Sequence, residues 1–170
     1  MIFLAFLLVI GALAKDITVD DFFGKWNYIK EKNRTQLIKI LNLHDYFALP
    51  SQIGFIIESM TMQVSFGKTN EDNVYNYTFY MPKLAGPITH TFRFGEKKVA
   101  YRRRSTEKIL VEFENGQIVE THLNNPENSD GSFKYKIVYT LDPNNKNIFH
   151  EKFYNSLNEL AAEIRFEKMD

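Results

Sequence analysis

Residues 108–123 read KILVEFENGQIVETHL, two alternating runs hinged on Asn115-Gly116. Asn-Gly accepts positive φ at both central positions of a type I′ turn, whose twist matches that of the strands it joins. A two-residue turn fixes the register of the hairpin. Glu114 faces Gln117, Phe113 faces Ile118, Val111 faces Glu120 and Ile109 faces His122. One face therefore carries Phe113, Ile118, Glu120 and His122. The other carries Leu110, Glu112, Val119, Thr121 and Leu123, so hydrophobicity alone leaves open which face turns inward. If the Phe113 face does, a carboxylate and an imidazole enter an apolar interior. An unpaired charge is costly there, so both need partners or water. Tyr135 and Tyr139, on the next alternating run, offer hydroxyls.

The period of two continues on both sides. Met60, Met62, Val64 and Phe66 alternate with Thr61, Gln63 and Ser65. Tyr75, Tyr77, Phe79 and Met81 alternate with Asn76, Thr78 and Tyr80, and Ile88, His90, Phe92 and Phe94 with Thr89, Thr91 and Arg93. Downstream come Phe133, Tyr135, Ile137, Tyr139 and Leu141, then residues 148–154 and 160–167. Residues 99–102 add a strand, and residues 22–29 an opening one with Trp26 and Tyr28 on one face. The total is about ten short strands. The pattern changes once. Asn33-Arg34-Thr35-Gln36 resembles a helix N-cap with Gln at N3, followed by Leu37, Ile38 and Leu41 at helical spacing. His44 and Asp45 break that run. Pro50 opens a second short helix with Ile53, Ile56, Ile57 and Met60 as its stripe.

Strands in sequence joined by short turns imply an antiparallel meander. Closing it into an up-and-down barrel removes its edges; a β-sandwich is the alternative. The helical pair fits a barrel, because it can cover one open end. Ten strands enclose more space than their own side chains fill, so the expected functional feature is a ligand cavity.

Composition agrees. The 170 residues carry 21 basic and 21 acidic side chains, without the basic excess of a nucleic-acid-binding domain. Fifteen Phe and nine Tyr suit strands around a large interior. The absence of cysteine excludes disulfides, thiolate metal sites and cysteine nucleophiles. Residues 1–14, MIFLAFLLVIGALA, form an apolar run ending in a small-x-small pattern before Lys15 and Asp16. This reads as a secretory signal peptide. The alternative is a membrane anchor, for which the run is short against the ~20 residues a spanning helix needs. Residues 15–170 would form one secreted domain. Asn33-Arg34-Thr35 and Asn76-Tyr77-Thr78 are glycosylation acceptors, Asn76 on the outward face of a strand, with Asn33 alternatively capping a helix.

No Gly-rich phosphate loop, nucleophile elbow or zinc-protease motif is present, so no enzyme activity, cofactor or metal is expected. Glu120 and His122 share a face, but no third metal ligand joins them at suitable spacing. His44 reads as a turn residue and His90, on an apolar stripe, as a hydrogen-bonded core residue. Arg102, Arg103 and Arg104 read as a solvated strand end, with a contact for anionic lipid as the alternative.

In its order of motifs the chain resembles the fatty-acid-binding protein family, the intracellular lipid-binding type of calycin. Phe22-Phe23-Gly24-Lys25-Trp26 is similar to the family's opening F-x-G-x-W segment, and the helical pair follows directly at 34–60. Thr91-Phe92-Arg93-Phe94-Gly95-Glu96 is similar to its F-x-L-G-x-E/F segment. The hairpin at Phe113-Glu114-Asn115-Gly116 and the ending Arg165-Phe166-Glu167-Lys168 resemble its last hairpins. The resemblance covers about residues 20–169. It implies a ten-stranded antiparallel barrel with a helix-turn-helix lid, holding a long-chain fatty acid or retinoid non-covalently. It also implies that Glu120 and His122 fall at polar cavity positions. The leader is similar to that of the secreted nematode members.

Two departures stand out. The family's C-terminal R-x-Y carboxylate clamp is replaced by Ile164 and Phe166 with Arg165 between them, and Tyr139 stands where the partner arginine is expected. A register shift of one would bring Arg165 inside. The apolar segment 82–87 is longer than the family norm and would lie at the portal. On this reading Phe92, Phe94, Val111, Phe113, Ile118, Glu120, His122, Tyr139, Ile164 and Phe166 line the ligand site. Ile53, Phe55, Ile57 and Leu84 form lid and portal. The expected product is a monomeric secreted carrier of a fatty acid or other small lipid, with transient membrane contact at the lid and no nucleic-acid partner. The alternatives are a lipocalin, which Gly24-Lys25-Trp26 also fits but which has eight strands, and an interaction protein whose barrel is plugged by its own side chains.

Overall fold

The computed structural model describes residues 16–40, 62–81, 85–102, 105–123 and 132–170. Its strands are β1 (Gly24–Lys32), β2 (Gln63–Lys68), β3 (Tyr75–Met81), β4 (Ala85–Phe92), β5 (Lys97–Arg102), β6 (Ser105–Glu114), β7 (Gln117–Leu123), β8 (Phe133–Leu141), β9 (Ile148–Asn155) and β10 (Leu160–Lys168). One helix, α1 (Arg34–Ile40), follows β1. The strands make one sheet in the order β4-β3-β2-β1-β10-β9-β8-β7-β6-β5. Every pairing is antiparallel, and β1 against β10 wraps the meander round. The barrel expectation holds, and its ten strands separate it from the eight of a lipocalin.

The wall is not a complete ring. β4 and β5 are the two edges of the sheet, with no ladder between them. Lys98 bridges this seam, its Nζ donating to the Thr91 carbonyl at 2.5 Å and the Thr91 hydroxyl at 2.9 Å.

The 115–116 hairpin has the register its turn requires, with Glu114 opposite Gln117, Phe113 opposite Ile118, Val111 opposite Glu120 and Ile109 opposite His122. Asn115 and Gly116 have φ of 50° and 73°. A Cβ on Gly116 would also meet the Ile17 Cβ at 3.0 Å, so the turn is closed to larger residues on two counts.

The opening of the chain departs from the expected strand over 22–29. Val19–Phe22 form a 3-10 turn, and β1 begins only at Gly24. The Asp21 carboxylate accepts from the Thr18 N–H at 2.8 Å, which starts the turn. The Trp26 indole N–H donates to the Phe22 carbonyl at 3.0 Å and fastens its end. Phe22 therefore plugs the end of the barrel. A bulge between Tyr28 and Lys30 then reverses the parity of β1 and sets Glu31 opposite Ile164. Glu31 pairs with Arg34 of α1.

Asn33, at φ 57°, starts α1 through its carbonyl, which accepts from the Gln36 and Leu37 N–H groups. Its side-chain amide instead donates to the Ala161 carbonyl at 3.1 Å. The expected second helix, with Ile53, Phe55 and Ile57, lies outside the described residues, as do Leu84, His44, Arg103 and Arg104. Among the described residues no helix is long and apolar enough to cross a membrane.

Candidate functional site

The inward face of the 115–116 hairpin is the Phe113 face. Ile118 is 1% exposed, and His122 and Val111 are buried with it. Once that parity is set, the inward side chains fall into levels along the barrel.

The lowest level is aromatic. Phe22 meets Phe66, Phe113 and Phe149 edge-on, with ring centroids 6.2–6.5 Å apart. Trp26 lies 5.4 Å from Phe149, and Phe149 lies 5.3 Å from Phe166. Tyr75 joins Phe92 and Phe94 to the group, and Phe94 reaches Phe113 at 6.1 Å. These contacts come from strands all round the barrel, so side chains fill this end. Of the sequence-derived ligand residues, Phe92, Phe94, Phe113 and Phe166 stand here.

Directly above lies a polar belt. The Tyr77 hydroxyl donates to Glu151 Oε1 at 2.7 Å. β3 and β9 are not neighbours in the sheet, so this bond crosses the interior. The Tyr139 hydroxyl donates to Glu120 Oε2 at 2.8 Å, and His122 Nε2 lies 2.6 Å from Glu120 Oε1. The His122 ring stacks on Tyr135 at 4.0 Å, which fixes its plane. Tyr77 and Tyr139 are themselves in ring contact at 5.8 Å. The belt thus links both walls and roofs the aromatic end. Around it the remaining inward residues are apolar. Ile137 stands opposite Glu120 and Ile109 opposite His122, while Phe153 and Ala162 lie one inward position beyond Glu151 and Ile164, and Phe79 faces Ile88 across β3 and β4.

The two carboxylates have different states. Burial pushes the Glu151 carboxyl up to about 8; the Tyr77 hydroxyl opposes this and the Glu120 charge adds to it. Burial also works against Glu120, but the bond and charge of His122, the Tyr139 hydroxyl and the charge of His90 hold it below the usual carboxylate range. Burial, with the nearby carboxylates, pushes both tyrosine phenols well above their ordinary value, so they remain donors. At neutral pH the belt therefore holds Glu120 ionised and Glu151 protonated.

Water reaches this level. Glu120 keeps 19% of its side-chain surface accessible although it sits in the inward phase of β7. Ile88 is 43% exposed although it stands opposite Phe79 on the inward register. His90, read from sequence as a core residue, is also exposed. It lies on β4, the edge strand, where one side of the ladder is missing. It still faces Tyr77 across the pair and reaches Glu120 electrostatically.

Glu120, His122 and Tyr139 are brought into direct contact, and Val111 and Ile118 flank them in register. Ile164 stands opposite Glu151 on the inner face. Arg165 is out of phase with it, opposite His150 and Lys30, so the one-residue shift that would bring it inside does not occur. Sequence reading missed Tyr77 and Glu151 as site residues. The signal was present: Glu151 is a carboxylate in the apolar phase of Phe149 and Phe153. Asn76, half-buried, lies on the outward phase of β3 beside Gly67, and Asn33 is exposed.

No family model and no curated protein matches the sequence. Solved structures do match in fold. Lipid binding protein 8 of Caenorhabditis elegans superposes with a TM-score of 0.65 at 13% identity, over 90% of this chain and 99% of that one. The Schistosoma mansoni fatty acid binding protein, solved with arachidonic acid, gives 0.64 at 16% identity, over 88% and 97%. Secretory abundant heat soluble protein 4 of Ramazzottius varieornatus gives 0.68 at 14% identity, over 90% and 98%. The chain, a ten-stranded antiparallel barrel, therefore shares its fold with a lipid binding protein, a fatty acid binding protein and a secretory abundant heat soluble protein.

Proposed function

We propose that the protein is a secreted, monomeric carrier that binds one long-chain fatty acid or similarly hydrophobic ligand non-covalently inside the barrel. The observation that carries this is water-accessible surface on the inward phase of the barrel wall: the Glu120 side chain keeps 19% of its surface although its bonds tie it to the interior, and apolar Ile88, in the inward phase of β4, is 43% exposed. Burying an acyl chain there supplies ~0.8 kcal/mol per CH₂ before ordering costs. The neighbours' names support a lipid as the guest, since they include a fatty acid binding protein solved with arachidonic acid. Binding by burial and hydrogen bonding needs no reaction, which agrees with a carrier. On this reading residues 1–14 are a leader and Asn76 and Asn33 are glycosylation acceptors. Ile53, Phe55, Ile57 and Leu84 then serve as lid and portal, touching a membrane transiently during loading.

Native mass spectrometry of protein recovered from the culture medium tests the proposal. A co-purifying lipid at one per chain is expected. A chain that stays empty when offered fatty acids and retinoids would instead be an interaction protein with a filled barrel.

A further inference from the structure

The belt says what the polar end of a guest must be. A long ligand entering above the belt meets Glu120, Glu151, Tyr77, Tyr139 and His122 at the bottom of its path. Both Glu120 oxygens are engaged, one by Tyr139 and one by His122. Glu151, 4% exposed, accepts the Tyr77 hydroxyl on one oxygen, and among the described residues no donor reaches the other. None of the described lysines or arginines bonds to either glutamate. Lys98, in the inward phase of β5, is turned across the seam to Thr91. Arg165 lies in the outward phase. An ionised carboxylate arriving at the buried Glu151 would meet the Glu120 charge, which already engages His122 and feels the charge of His90, and no guanidinium is there to pair with it.

We infer that the barrel selects a long-chain lipid ending in a hydroxyl over the corresponding carboxylate, with the hydroxyl seated on the free oxygen of Glu151. A hydroxyl both donates and accepts, so it satisfies that oxygen in whichever way its proton points. It brings no charge to a belt where the one ionised carboxylate already has its partners. The protonation of Glu151 at neutral pH agrees, because a neutral carboxyl can donate to the incoming oxygen. An acid would have to lose its charge first, and the proton it must take up costs affinity in proportion to the gap between its pKa and the pH.

This inference rests on the carrier reading, and one experiment separates the two. The purified, delipidated protein is loaded with nile red, an uncharged dye, and titrated at neutral pH with oleyl alcohol and with oleate. The alcohol is expected to displace the dye at a concentration at least ~tenfold lower than oleate. Equal potency, or a stronger oleate, overturns the inference while leaving the carrier intact. Failure of the dye and of both lipids to bind removes the carrier reading and this one with it. Glu151→Leu should reduce the preference to about threefold or less, and Glu151→Gln, which keeps a donor and an acceptor, should retain it. An unchanged ratio in folded Glu151→Leu places the hydroxyl elsewhere and overturns the assignment. The wild-type ratio decides the ligand class even if Glu151→Leu does not fold.

Discussion

The two ends of the barrel are built from the same strands to opposite purposes. At the lower end β9 contributes Phe149, locked among Phe22, Trp26, Phe66 and Phe166. Two residues further on the same face it contributes Glu151. One step along a strand thus separates close-packed rings from a hydrogen-bonded carboxylate with an oxygen to spare. The lower end gains stability from contact in all directions. Beyond it the inward phase keeps accessible surface at Glu120 and at Ile88 on the edge strand, while Ile137, Phe153 and Ala162 stay buried. In a barrel, stability and capacity are set by which level a residue occupies as much as by its type.

Substitutions can break this contrast. The largest effect is expected in the aromatic end, where Trp26→Ala or Phe149→Ala should cost ~3–5 kcal/mol in denaturant unfolding. A loss under ~1 kcal/mol would mean that this end is loosely filled. Phe113→Asp, in the same level, should destabilise the fold before it touches ligand affinity, and a folded variant with weakened binding alone would move Phe113 into the site. Next comes the belt. Glu120→Leu removes the acceptor of the buried Tyr139 hydroxyl and a partner of His122, and leaving the hydroxyl unsatisfied should cost ~1–3 kcal/mol in denaturant unfolding.

A third test sharpens the difference between the two glutamates. Unfolded Glu151 ionises near 4.5, whereas folded Glu151 holds its proton up to about 8. Its contribution is therefore fully present below 4.5 and falls as the pH rises through about 8. Glu120 runs the other way: its contribution is present above 4.5 and is lost as the pH falls through its lowered folded value. Glu151→Gln should flatten the decline of unfolding free energy across the upper window, and an unchanged slope would place the titration elsewhere. The smallest effect is expected at Ile88→Asn on the open side, within ~0.5 kcal/mol by thermal unfolding.

Much of this was legible because a strand sequence has only two phases. The Asn115-Gly116 turn fixed the positions of Glu120 and His122 to the residue, and the repeating period fixed the barrel. The reading failed where a local hydrogen bond outweighs the period. Thr18 and Asp21 wind a turn where Phe22 and Phe23 suggested strand. His90 was placed in the core because its stripe is apolar, but periodicity does not reveal which strand is left at an edge. Tyr77 and Glu151 were out of reach as a pair, since nothing local in the sequence indicates a bond spanning 74 positions.

The unlaced junction of β4 and β5 has a mechanical consequence. A hoop that is continuous all round can widen only by tearing main-chain hydrogen bonds, each strong and cooperative with its neighbours. A hoop with one cut can change its girth at that cut while every remaining rung stays whole. The clasp among the described residues is a flexible ammonium on a backbone oxygen and a hydroxyl, a contact that can slide and re-form. Bulkier guests would then be accommodated by spreading that gap, and the rest of the stave work would keep its shape.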